Sequence, residues 1–221
     1  MANTLYKFRS LAGDSFKFTQ DIFWRKRIFL SPVEWLNDPC EAKFNYVTPQ
    51  NVSPNPYKDW GEMLDRNRLL GSARVFCATE SPTNALMWSH YADSHRGICI
   101  GFRTSSPAIL ASARQVVYAR TVPSVDFDQN REAALESAAF TKSTDWAYEV
   151  EWRILSTNPD EYPGGFCRIS ENDISEVIFG AKISAADRGW VLDWVRHYNP
   201  NTKLFDAKFS GSGYDMEVVA I

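Results

Sequence analysis

The sequence predicts an α+β fold: a single domain with a mixed or split, mostly antiparallel sheet flanked by helices. Three observations carry this. Nine short runs of strand character are interspersed with five stretches of helical character, without the strict alternation of a doubly wound fold. No glycine-rich nucleotide loop of the GxGxxG or Walker type is present. Of the 221 residues, 44% are apolar, including 8 Trp, 9 Tyr and 14 Phe, which is ample material for one packed core.

The strands are expected over residues 5–9, 27–30, 73–78, 97–102, 115–118, 149–155, 176–179, 203–209 and 216–221, where apolar and β-branched residues alternate or run together. Helices are expected over 16–26, 59–70, 83–91, 128–141 and 185–197. The last of these has Ser184 as its N-cap with Asp187 three residues on. Its Trp190, Val191, Trp194 and Val195 recur at the spacing of a core-facing stripe. Residues 46–58, YVTPQNVSPNPYK, read as a loop, because three prolines and the asparagines between them oppose regular structure.

Composition narrows the partners. A net charge of −3 and a pI near 5.7 exert no global pull on nucleic acid or anionic membrane. The N-terminus, MANTLYKFRS, lacks the layout of a signal peptide, and no apolar run reaches the roughly 18 residues of a membrane span. Cys40, Cys77, Cys99 and Cys167 are dispersed, with no CxxC, and Cys77 and Cys99 read as buried free thiols. A soluble, cytoplasmic protein is expected. His90, His95 and His197 are too scattered for a metal centre, and HExxH and GxSxG are both missing, so no metal is predicted.

Three blocks carry candidate chemistry. In IFLSPVEWLNDPCE, residues 28–41, Asn37, Asp38 and Pro39 form a turn that is either simply rigid or places Asp38 or Glu41 at the rim of a cleft. In MWSHYADSHRGICIGF, residues 87–102, Trp88, His90 and Tyr91 lie within one helical turn. They are either core aromatics with a satisfied histidine or a ring-stacking and hydrogen-bonding set for a ligand. In WAYEVEWRI, residues 146–154, strand alternation puts Glu149, Glu151 and Arg153 on one face, the two carboxylates about 7 Å apart. That face is either solvated or a Glu-x-Glu pair in a cleft, offset by Arg153 and by Lys142 just upstream.

These blocks, with the opening LYKFRS and the later EVIFG of residues 176–180, resemble the bacterial domain-of-unknown-function family 2971 over residues 5 to about 180. The length suits one domain over 1–221, with the helix and strand of 184–221 packed on the family-like core. The order of parts is also similar to ADP-ribosyltransferase-like domains, which carry an early strand with Arg or His, a middle strand with Ser or Tyr, and a late strand with a catalytic Glu. This second resemblance implies an ADP-ribosyltransferase-like fold with NAD as substrate. Arg9, or Tyr6 beside it in strand order, would meet the phosphates or ribose. Ser31 or Tyr91 would line the nicotinamide subsite. Glu151 would hold the nicotinamide-ribose hydroxyl and stabilise an oxocarbenium-like transition state, and Glu149 would assist the acceptor. The Ser-Thr-Ser motif of such transferases is replaced here by Leu30-Ser31-Pro32 and Ala78-Thr79-Glu80.

Three functional readings follow. The first is an NAD-consuming enzyme that passes ADP-ribose to an unknown macromolecule or to water, in a bacterial toxin or phage-defence setting. The second is a ligand- or protein-binding module without turnover. The third is a nuclease or other nucleic-acid enzyme, suggested by Arg25-Lys26-Arg27, which keeps nucleic acid open as a partner.

Overall fold

The computed structural model describes residues 3–46, 71–105, 110–125, 131–158, 160–211 and 213–221. In chain order its elements begin with β1 (Thr4–Arg9), α1 (Ser15–Trp24), β2 (Arg27–Phe29), β3 (Ser31–Pro32), β4 (Asn45–Tyr46), β5 (Arg74–Thr79), α2 (Ala85–Tyr91) and β6 (Ile98–Arg103). They continue with β7 (Arg114–Gln115), β8 (Val117–Ala119), β9 (Ser124–Val125), α3 (Arg131–Ala139), β10 (Thr141–Ser143) and β11 (Glu151–Ser156). The C-terminal part holds β12 (Phe166–Arg168), β13 (Ile174–Phe179), α4 (Ala185–Tyr198), β14 (Lys203–Phe209) and β15 (Met216–Ala220).

Nine strands form one sheet in the order β15-β14-β13-β6-β1-β5-β11-β7, with β3 added on β5. Every neighbouring pair in it is antiparallel except β13 and β14, which α4 connects. A parallel pair needs such a crossover, and a helix supplies it. The expected α+β architecture with a mostly antiparallel sheet is therefore present.

Both faces of the central strands are covered, which is why β6 reads ICIGF with no polar phase. Leu5, Ile98, Ile100, Phe102, Val177 and Phe179 pack under α1 and α4 through Ile22, Phe23, Val191, Trp194 and Val195. Phe8, Cys99 and Ile178 face the other way, under Met87 and Trp88 of α2. The stripe on α4 thus buries Val191, Trp194 and Val195, while Trp190 stays 56% exposed. Gly97 is required where this layer closes, since a Cβ there would sit 2.1 Å from the Arg9 carbonyl oxygen. Among the described residues no helix is long and apolar enough to cross a membrane.

The feature that makes the site is a split. β1 pairs with β6 along its length, from Thr4↔Arg103 to Arg9↔Ile98. It meets β5 only at Tyr6↔Thr79. β5 instead follows β11, from Thr79↔Glu151 to Arg74↔Ser156. Beyond Tyr6 the two strands part, and their diverging ends open a cleft.

Several elements differ from the sequence pattern. The strand expected over 149–155 begins only at Glu151, because residues Thr144–Glu149 form a 3-10 turn and Val150 takes a left-handed conformation with φ 45°. The strand expected over 115–118 divides at Val116, whose N–H donates to the Glu151 carbonyl, into β7 and β8. The helix expected over 128–141 ends at Ala139, and Thr141 opens β10, which pairs in parallel with β8. Of that helix, residues 128–130 lie outside the described residues, as do the helix expected over 59–70 and residues 47–58 of the expected loop. Helix α2 starts two residues later than expected, because the Asn84 side chain accepts from the N–H groups of Leu86 and Met87.

Candidate active site in the split of the sheet

The cleft has a volume of about 320 Å³, within the range of small-molecule sites. Lys7, Phe8, Arg9 and Ser10 of the β1 side face Cys77 and Ala78 of β5 across it. The segment after β3 adds Trp35, Leu36, Asn37 and Glu41, and α2 adds Met87, His90 and Tyr91. Lys142, Glu149 and Glu151 complete the lining.

Most of the residues singled out in the sequence converge here. Tyr6, Arg9, Ser31, Asn37, Glu41, His90, Tyr91, Lys142, Glu149 and Glu151 all line the cleft. Three do not. Trp88 is fully buried on the inner face of α2, edge-on to Phe8 at 5.0 Å, with its indole N–H donating to the Pro82 carbonyl at 2.7 Å. Asp38 serves the turn, its carboxylate accepting from the Cys40 N–H at 2.8 Å. Arg153 is fully buried behind the carboxylates rather than on the cleft surface.

At the floor, three carboxylates gather around two cations. The Lys142 ammonium lies 2.5 Å from Glu149 Oε2, 3.0 Å from Glu151 Oε2 and 3.0 Å from Glu41 Oε1. Arg153 bonds Glu151 through Nε at 2.8 Å and Nη2 at 2.9 Å, pairs with Glu41, and donates from Nη1 to the Ala139 carbonyl at 2.6 Å. The left-handed Val150 is the local cause. In a straight strand, residues 149 and 151 would continue in extended register. The kink instead turns Glu149 out of the 3-10 turn toward the same ammonium that Glu151 meets. The turn is tied down by Thr79 Oγ1 donating to the Glu149 carbonyl at 2.6 Å and Asn84 Nδ2 donating to the Tyr148 carbonyl at 2.8 Å.

The two glutamates are not equivalent. A carboxylate has about four acceptor positions. Glu151 has them occupied by Arg153 Nε and Nη2, the Lys142 ammonium and the Cys77 thiol. Burial pushes the Glu151 carboxyl up, but Arg153 and Lys142 outweigh it and hold the group down at about 2. Among the described residues Glu149 accepts only from Lys142 and from the Tyr91 hydroxyl at 2.7 Å. Burial raises its pKa, and Lys142, shared among three carboxylates, offsets this only in part. Glu149 is thus the carboxylate with acceptor capacity left and the one nearer to taking a proton. In turn, Tyr91 is pushed up by burial and by Glu149, and the Cys77 thiol is pushed up to about 12 by burial and by Glu151.

Sequence reading missed Lys7, Trp35 and Cys77 of the lining. The signal for Lys7 was available: a lysine in the phase of a strand that buries Leu5. Trp35 and Cys77 look like ordinary apolar residues of their segments. Among the described residues no group of three or more His, Cys, Asp and Glu is arranged to hold a metal ion. The three glutamates here are drawn together by Lys142 and Arg153.

Fold and site together define a class: an α+β protein with a split sheet whose cleft is floored by a buried carboxylate–cation network. Residues 87–154 match the family model described as Protein of unknown function (DUF2971). This segment contains both the MWSHYA and the YEVEWR blocks, and over it the chain carries that family's pattern. No curated protein and no solved structure matches the chain.

Proposed function

We propose that the cleft binds NAD and breaks its nicotinamide–ribose bond, passing ADP-ribose to a macromolecular acceptor or to water. The observation that carries this reading is the pair of glutamates, held 2.5 and 3.0 Å from one ammonium at the base of a split sheet. Heterolysis of a glycosidic bond leaves positive charge on the ribose, and a fixed carboxylate in a water-poor site favours that charge strongly.

In this reading the two glutamates take different tasks from those implied by the transferase resemblance. Glu149, with open acceptor positions and a raised pKa, is suited to the ribose hydroxyl and to the proton of the incoming nucleophile. Glu151 is saturated, so it orients Lys142 and Arg153 and through them Glu149. Tyr91 and His90 stand beside Glu149 to receive the nicotinamide, and Arg9 faces the phosphates.

Release of free nicotinamide, followed by chromatography with and without cell extract, tests the reading. Glu149→Gln is expected to abolish release while retaining the fold. Glu151→Gln is expected to lower release together with thermal stability. The second reading, a binding module without turnover, is favoured by the saturation of Glu151. Nicotinamide held constant under both conditions, with ligand still bound, would select it.

A further inference from the structure

The floor network leaves two cations of the cleft unused. Lys7 and Arg9 are two residues apart on β1, so they share a face about 7 Å apart. Among the described residues neither has a carboxylate partner: Arg9 Nε bonds Thr19 Oγ1 at 3.2 Å, and the Lys7 ammonium lies 5.2 Å from the Phe76 ring centroid. Both side chains are half-buried in the cleft wall, where water screens their charge only in part. Burial lowers the pKa of both groups; at Lys7 the Arg9 charge adds to the lowering, while Cys77, Glu151 and Glu149 offset part of it. Among the described residues no carboxylate pairs directly with either cation, since Glu151 is engaged by Arg153 and Lys142, and Glu41 and Glu149 are paired with Lys142. The lining acids Glu41, Glu149 and Glu151 are gathered at the floor around Lys142 and Arg153, which leaves Lys7 and Arg9 as the cations of the β1 wall. At the rim, Trp35 is 65% exposed and offers a flat ring to a base.

We propose that Lys7 joins Arg9 in a phosphate subsite, and that Lys7 selects a phosphate-bearing nucleotide over a neutral nucleoside or sugar. The identity of that nucleotide as NAD-derived rests on the reading above; the anion subsite does not. Half-buried cations in a cleft wall with no directly paired carboxylate among the described residues are the arrangement expected of an anion-binding group.

The experiment is calorimetric titration of the full chain with ADP-ribose, inorganic pyrophosphate and adenosine, in wild type, Lys7→Met and Lys7→Arg. Wild type is expected to bind ADP-ribose and pyrophosphate, more weakly as salt is raised. Lys7→Met is expected to lose tenfold or more in affinity for both anions, to leave adenosine unaffected, and to melt at a higher temperature than wild type. Lys7→Arg is expected to keep most of the affinity. Should Lys7→Met fail to fold, reductive methylation of wild type replaces it: ADP-ribose is expected to protect Lys7, read by peptide mass spectrometry. Unchanged anion affinity in folded Lys7→Met, no anion binding by wild type, or no protection would overturn the proposal. Anion binding that depends on Lys7, with no nicotinamide release, would leave the subsite standing and remove the NAD chemistry.

Discussion

At the scale of single residues, the site depends on how few cations serve its acids. Lys142 is buried to 4% side-chain exposure and answers three carboxylates at once. Removing one partner of a buried ion group leaves charge without compensation, which costs about 3–5 kcal/mol. Lys142→Met is therefore expected to destabilise the protein by about that amount, measured by chemical denaturation at pH 7. Pairing the change with Glu149→Gln is expected to recover part of the loss, because one of the stranded carboxylates is then neutral. Additive effects of the two changes would contradict the shared network. Surface pairs such as Arg114 with Glu136 have no comparable effect, since water already solvates them.

At the scale of elements, the junction between the 3-10 turn Thr144–Glu149 and β11 is the decisive piece. Val150 is β-branched and left-handed, a combination that is sterically costly and persists where surrounding bonds over-determine it. Val150→Gly is expected to leave stability level or raise it by up to about 1 kcal/mol in thermal melts. A larger loss would show that the Val150 side chain, rather than the backbone bonds, holds the kink. Asn84 is the second control point. Its carbonyl oxygen caps α2 while its amide holds the Tyr148 carbonyl, so one side chain couples the helix bearing His90 and Tyr91 to the turn bearing Glu149. Asn84→Ala is expected to cost about 1–2 kcal/mol. It should also lower nicotinamide release more than Ser184→Ala does, which removes an equivalent cap on α4, remote from the cleft elements.

At the scale of the whole molecule, pH couples the network to stability. Glu151 is held at about 2 against an ordinary 4.5, so its contribution is complete above 4.5 and is lost as pH falls toward 2. Glu149 is raised, so the folded protein takes its proton more readily than the unfolded chain does, and lowering the pH toward 4.5 favours folding through that group. The two slopes oppose, and below 4.5 only the Glu151 loss remains, at no more than about 1.4 kcal/mol per pH unit. Denaturation curves from pH 8 to pH 2.5 are expected to show the steep fall confined below 4.5 and flattened in Glu151→Gln.

Much of this organisation was legible in the chain. The apolar run of β6, the capped helix α4 and the two aromatic–acidic blocks follow from local patterning, because burial imposes its period on the sequence. So does the grouping of Glu41, Lys142, Glu149, Glu151 and Tyr91 as candidates, since charged groups inside otherwise apolar segments need partners. Local pattern did not separate the two glutamates, because alternation treats residues 149 and 151 alike and cannot register a left-handed residue between them. Nor did it separate Trp88 from Tyr91, neighbours on one helix of which one is buried against Phe8 and the other reaches Glu149. Residue types and periodicity thus determined the class of fold and the chemical inventory. The divergence of β1 from β5, the sharing of Lys142 among three acids and the lack of a paired carboxylate at Lys7 were decided by tertiary structure alone, because each depends on how segments distant in sequence are brought together.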